Sequence, residues 1–350
     1  MSTPLWAEQA LATVLERVVA TRAEVGGRFP LFAEPDSGRW TTTSRGSWTG
    51  GFWAGLLWLR ALHTGEKADR DAATQCTGRL ADWTEADTAT RGLILWYGTA
   101  LAAGPGGEDQ AARLRDRAAR SCLDAVEPGL GLVPWGSAFG GPRLLARADG
   151  VPGMVPLLAG AGPDGVAAAG SHLRRHLQLC LGEGALRPAW RFDAAAGWSA
   201  CDIPPPGWSR GRAWLLLAAA DALHHLGPGE FAGRARYLAA PGPVPVPLAD
   251  EARPDGPLDT SAAAITAVAL LKLARATDES WWYERAVTTL ENLVRAHVTG
   301  PGAHRPPGML LHGCYDLDLG TATQHELVWG NFFLAYGLAV LTGLIDVWDA

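Results

Sequence analysis

Apolar residues recur three and four positions apart along most of the chain, and glycine- and proline-rich breaks interrupt them. Twelve helical segments are expected from this pattern. They span roughly Leu5 to Thr21, Trp48 to His63, Asp69 to Trp83, Thr90 to Ala103, Gln110 to Ala125, Val151 to Leu158, Ala168 to Leu181, Ser209 to Leu226, Phe231 to Ala239, Thr260 to Ala274, Ser280 to His297 and His325 to Leu341. In the first, Leu11, Val14, Leu15 and Val18 share a face; the second takes Ser47 as a cap and stops at Thr64-Gly65. Strand-like alternation is scarce. Val244 and Val246 fall among prolines that would deny a sheet its donors.

The even-numbered segments are the more apolar, as in GFWAGLLWL, GLILWYGTALAA, RAWLLLAAADAL and FFLAYGLAVL, whereas odd ones such as DQAARLRDRAARSCLDA carry much more charge. An inner layer covered by an outer layer that meets water gives this alternation, which points to an all-α fold of six helical hairpins closed into an (α/α)6 barrel. An irregular helical bundle is the plainer alternative. No linker divides residues 1–350, and Ala239 to Pro257 reads as a long loop, so a single domain is expected.

Thirty basic against thirty-six acidic side chains leave a formal charge of -6, without the concentrated basic face that phosphate contacts need, so no nucleic-acid partner is expected. The five cysteines are scattered and odd in number, which suits reduced thiols and no metal site. The opening helix carries glutamates rather than a secretion pattern, and no apolar run of about twenty residues is present, so a cytoplasmic protein without a membrane partner is expected. Sixteen tryptophans stand out. Their flat faces stack on sugars but also fill large cores.

Several segments open on residues suited to a ligand. In SRGSWTGGFWAGLLW, Gly50 and Gly51 allow close backbone approach while Trp48 offers either a sugar-stacking wall or a packing ring. In RADGVPGMVPLLAG, Asp149 precedes a short apolar helix and reads as a helix cap or as a catalytic acid; a proton donor would need desolvation or a neighbouring negative charge. Trp208, Arg210, Arg212 and Trp214 cluster at the start of GWSRGRAWLLLAAADAL, where an arginine between rings suits a carboxylate or hydroxyl ligand. Asp259 or Thr260 caps the tenth helix. His312, Asp316, Asp318 and His325 lead into the final helix with its Trp329, without a metal-binding spacing. Dinucleotide, phosphate-loop and serine-nucleophile signatures are absent, so no cofactor is expected.

Taken in order, these segments resemble the unsaturated glucuronyl hydrolases, glycoside hydrolase family 88, and their family 105 relatives acting on unsaturated galacturonyl sugars. The likeness covers nearly the whole chain: WTGGFWAGLLW, ADGVPGMVPLLAG, WSRGRAW, LDTSAAAITAVALLKLA, and LLHGCYDLDLG followed by LVWGNFFLAYGL. The resemblance implies an active site in the barrel mouth and an unsaturated uronyl oligosaccharide as substrate. A protein acid protonates C4 of the 4,5-unsaturated residue, water adds at C5, and the hemiketal opens to a keto-aldehyde with loss of the remaining sugar. Asp149 takes the principal catalytic position; Trp48, Trp208, Arg210 and Trp214 match substrate-facing residues, and His312 and Trp329 fall in the closing segments.

Three departures stand out. Thr90 replaces a second family aspartate, with Asp87 three residues upstream as a possible stand-in; a histidine expected near RPAWRFD is absent; Arg212 replaces a glutamine. Loss of the second carboxylate removes a like charge beside Asp149. A sugar-binding barrel without turnover and another carbohydrate enzyme on the same architecture are the alternatives, with Asp87, Asp202, Asp316 and Asp318 as partner carboxylates in the latter. Monomer and homodimer both remain open.

Overall fold

The computed structural model describes residues 4–182, 186–240, 245–302 and 304–350, so Val244 lies outside the described residues. Twelve α-helices form among them: α1 (Leu5–Val25), α2 (Gly50–Thr64), α3 (Lys67–Gly78), α4 (Tyr97–Ala103), α5 (Asp109–Asp124), α6 (Met154–Ala159), α7 (Pro163–Cys180), α8 (Ser209–His225), α9 (Phe231–Leu238), α10 (Thr260–Thr277), α11 (Ser280–His297) and α12 (Val328–Leu341). A π-helical turn, Gly92–Trp96, precedes α4.

The even-numbered helices close a ring. α2 packs on α4 and α12, α8 on α6 and α10, α10 on α12, and the π turn joins the α4 side to α6. Each odd-numbered helix lies outside: α3 on α2, α5 on α4, α7 on α6, α9 on α8, α11 on α10, and α1 on α12. Fourteen of the seventeen residues of α8 are buried against five of the sixteen of α5, so the charge alternation in the sequence is the inner and outer layer of an (α/α)6 barrel.

Inside the ring, Phe52, Tyr97, Trp214, Phe332 and Phe333 form a continuous aromatic plug. Their neighbouring ring centroids lie 5.1–6.2 Å apart, mostly tilted or edge to face. At one point the ring elements approach without side chains between them. A Cβ on Gly51 would stand 2.3 Å from the Leu93 carbonyl oxygen and 2.4 Å from that of Ile94, so α2 meets the π turn backbone to backbone.

Six short strands accompany the helices among the described residues, in keeping with the scarce strand-like alternation of the sequence. β1 (Phe29–Ala33), β2 (Trp40–Thr43) and β6 (Glu326–Leu327) form one antiparallel sheet in the order β2-β1-β6; β3 (Leu145–Arg147), β4 (Ala189–Asp193) and β5 (Gly197–Ala200) form another in the order β3-β4-β5. None exceeds five residues, too short for alternation to stand out from helical periodicity. Ser47 is a correction: it begins a 3-10 turn at φ 52°, while Thr49 takes the N-cap position of α2. Asp259 does cap α10, accepting from the Ser261 N–H at 3.0 Å.

Candidate active site

The segments that enter all six inner helices converge on one cavity of about 370 Å³. Trp48 stands before α2, Thr90 before the π turn, Asp149 before α6, Trp208 before α8, Asp250 on the approach to α10, and Tyr315 and Asp316 on the approach to α12. Trp214, the side of the aromatic plug facing this space, supplies its floor. One wall is aromatic: Trp48 lies over Tyr315 with a 21° interplanar angle, and its Nε1–H donates to the Tyr315 hydroxyl at 3.4 Å.

Close backbone contact brings the turns of Thr90 and Asp149 together. Gly153, at φ 69°, would place a Cβ 2.4 Å from the Gly92 carbonyl oxygen, and a Cβ on Gly150 would lie 2.9 Å from that of Ala89. The Thr90 side chain is buried, and its hydroxyl shares a 2.9 Å hydrogen bond with that of Thr88.

Asp149 does not cap α6, whose N-cap position is Gly153. It sits in a 3-10 turn, and Arg147 at the end of β3 grips its carboxylate with two hydrogen bonds, Nε to Oδ1 and Nη2 to Oδ2, each 3.0 Å. This is the parallel two-bond geometry that a guanidinium offers a carboxylate. Burial works against the Arg147 charge, but the adjacent Asp149 outweighs it and holds the guanidinium above its ordinary pKa. The flat face of Arg147 rests on Trp135, 4.4 Å from the ring centroid. Sequence reading missed Arg147 and Trp135; the cue was an arginine two residues before the aspartate, close enough in the chain for a guanidinium to fold onto its carboxylate.

A buried histidine pair on α7 was also missed, although HLRRH carries the four-residue spacing. The Val133 N–H donates to His172 Nδ1 at 3.1 Å, so the hydrogen sits on Nε2, which donates to the Gly150 carbonyl at 3.3 Å, directly behind Asp149. His176 Nδ1 donates to the His172 carbonyl at 2.8 Å. Burial pushes His172 well below the ordinary histidine range and His176 down to about 4, so both rings are neutral near pH 7.

Arg210 faces the cavity with both terminal nitrogens engaged. It donates to Asp259 at 2.5 Å, to the Cys314 carbonyl at 2.5 Å and to the Tyr315 carbonyl at 2.8 Å, tying the closing loop to the start of α10. Trp208 lies beneath it at 5.2 Å. Four expected contacts fall outside the cavity lining. Asp87 accepts from the Ser137 N–H at 3.0 Å and the Ser137 hydroxyl at 2.9 Å, with Arg143 at 3.3 Å, and so anchors a rim loop. Arg212 follows Arg210 by two helical residues, about 200° around α8, so it faces away. His312 pairs with His297, nitrogen to nitrogen at 2.9 Å. Trp329 is fully buried behind Trp48, ring centroids 4.7 Å apart.

No protein-family model matches the chain. Over 379 aligned residues it is 25% identical to the unsaturated glucuronyl hydrolase of Bacillus sp. (strain GL1), spanning 98% of this chain and 99% of that protein. The chain is thus similar to an unsaturated glucuronyl hydrolase along nearly its whole length. Solved structures agree in fold. The glycosaminoglycan-degrading unsaturated glucuronyl hydrolase of Bacillus sp. GL1 superposes with a TM-score of 0.86 at 23% identity, covering 96% of this chain and 97% of that one. An unsaturated glucuronyl hydrolase described as specific for heparin gives 0.85 at 20%, covering 98% and 99%, and that of Streptococcus agalactiae gives 0.85 at 16%, covering 99% and 94%. The cavity lining carries the Thr90 hydroxyl on one side and Asp316 on the loop before α12. No helix among the described residues is long and apolar enough to cross a membrane.

Proposed function

We propose that the chain hydrolyses oligosaccharides ending in a 4,5-unsaturated uronyl residue, with Asp149 as the proton donor. The observation that carries this reading is Asp149 on the wall of an aromatic-lined cavity at the convergence of the six inner helices, rather than in a helix cap. Relatives with this fold are solved with dGlcA-GalNAc6S and with dGlcA-Glc-Rha-Glc, both ending in such a sugar. The N-terminal ends of α2 and α8 face the cavity, and their partial positive charge favours an anionic ligand.

The chemistry follows from one carboxyl group. Asp149 gives its proton to C4 of the alkene, and the positive charge that develops at C5 is shared with the ring oxygen. Water adds its oxygen to C5 and returns a proton to Asp149, which regenerates the acid. The resulting hemiketal breaks its bond from C5 to the ring oxygen; C1 then expels the remaining sugar and becomes an aldehyde. The planar faces of Trp48 and Trp208 suit a flattened unsaturated ring.

Loss of the ultraviolet alkene absorbance on incubation with lyase-generated unsaturated disaccharides, both glucuronyl and galacturonyl, tests the reading. Turnover is expected, and Asp149→Asn should lower kcat by about 10²- to 10⁴-fold; turnover that survives this substitution rejects the assignment of the acid. The buried hydroxyl of Thr90, where a carboxylate is usual, favours a second reading, a sugar-binding barrel without catalysis. Saturable binding with no product after prolonged incubation selects it.

A further inference from the structure

Two guanidinium groups border the cavity, and they differ in what they have left to give. Arg210 engages both terminal nitrogens, on a carboxylate and two backbone carbonyls, and keeps only Nε without a partner among the described residues, whereas the free group of Arg147 is a whole terminal nitrogen. Arg147 uses Nε and Nη2 on Asp149, and its Nη1 has no hydrogen-bond partner among the described residues. Arg147 also stands at a junction: it lines both the main cavity and an adjoining cleft of about 570 Å³ that runs toward Arg191 and Ser199 on the β4-β5 hairpin. Its ring face is fixed by Trp135, so the free edge cannot swing away to solvent without losing that contact. The side chain is 22% exposed, enough to meet a ligand.

We propose that Arg147 is the residue that recognises the carboxylate of the substrate, taking it on the free edge of the guanidinium whose other edge holds Asp149. The inference rests on the uronyl reading of the site and deepens it: the substrate must carry a free carboxylate, not merely an alkene. Recognition and acid chemistry then share one cation. A carboxylate arriving on Arg147 draws part of the positive charge away from Asp149 and sets a second negative charge beside it. Two carboxylates around one guanidinium hold a proton more readily than one carboxylate gripped by it alone. Asp316, which also faces Arg147 across the cavity, opposes an incoming anion and makes the free edge of Arg147 the decisive attraction.

The test compares an unsaturated uronyl disaccharide with its methyl ester, which removes the charge and keeps the alkene. The wild-type protein should favour the free acid in kcat/KM by about 10- to 100-fold, the range for a hydrogen bond to a charged group. In Arg147→Gln that preference should fall to within about threefold; an undiminished preference in the variant overturns the proposal. Should Arg147→Gln turn over neither compound, binding of acid and ester is compared by tryptophan fluorescence in the Asp149→Asn protein with and without Arg147→Gln. Loss of the acid preference on removing Arg147 supports the proposal, and retention overturns it. Wild-type protein inert toward both compounds rejects the hydrolase reading instead, and the same binding comparison still decides the role of Arg147.

Discussion

At the scale of single residues, the burial of His172 and His176 sets a pH dependence on stability. Their folded pKa values lie below the ordinary histidine value of about 6.5, with His176 at about 4, so between those values the unfolded chain binds more protons than the folded one. Stability is therefore fully present above pH 6.5 and declines as pH falls toward about 4, by about 3 kcal/mol for His176 alone. Urea midpoints measured across this window should drop with acidification, and His176→Gln should flatten the drop; an unchanged slope contradicts the assignment. A second proton on His172 must add at Nδ1, so protonation breaks the bond accepted from the Val133 N–H and leaves the Nε2–H on the Gly150 carbonyl. Residue identities such as Asp149, Trp48 and Trp208 were legible in the sequence because their segments open helices with unusual chemistry. The committed bonds of Arg210 were not, since its partners Asp259, Cys314 and Tyr315 lie 49 to 105 positions away in the chain.

At the scale of elements, helix existence was legible throughout, and rotation about the helix axis could have separated Arg210 from Arg212 without coordinates. The strands were not legible, because β3 to β5 are short and β3 meets β4 only across α6 and α7. Nor was the π turn, which offsets the helix just beyond Thr90 and meets Gly51 without intervening side chains. Wide turns of this kind recur beside functional sites. Gly51→Ala should therefore cost at least about 3 kcal/mol, the upper end of ordinary overpacking, because both clashing atoms are backbone oxygens that cannot swing aside. Chemical denaturation reads this directly, and a loss below about 1 kcal/mol would show that the seam yields.

For the whole molecule, the alternation of apolar and charged helices carried the ring, while the placement of the cavity depended on six entry segments meeting in space. The aromatic plug beneath that meeting point has a further consequence. Phe52, Tyr97, Trp214, Phe332 and Phe333 stop the bore of the ring, so a glycan cannot thread through it. Only a chain terminus can descend to Asp149, and the remainder must trail out over the rim. An unsaturated tetrasaccharide should accordingly yield one opened monosaccharide and one saturated trisaccharide, seen by mass spectrometry, and then no more. On the proposed activity, each encounter is a single trim that erases the mark by which the end was recognised, leaving the shortened chain inert until a lyase writes a new one.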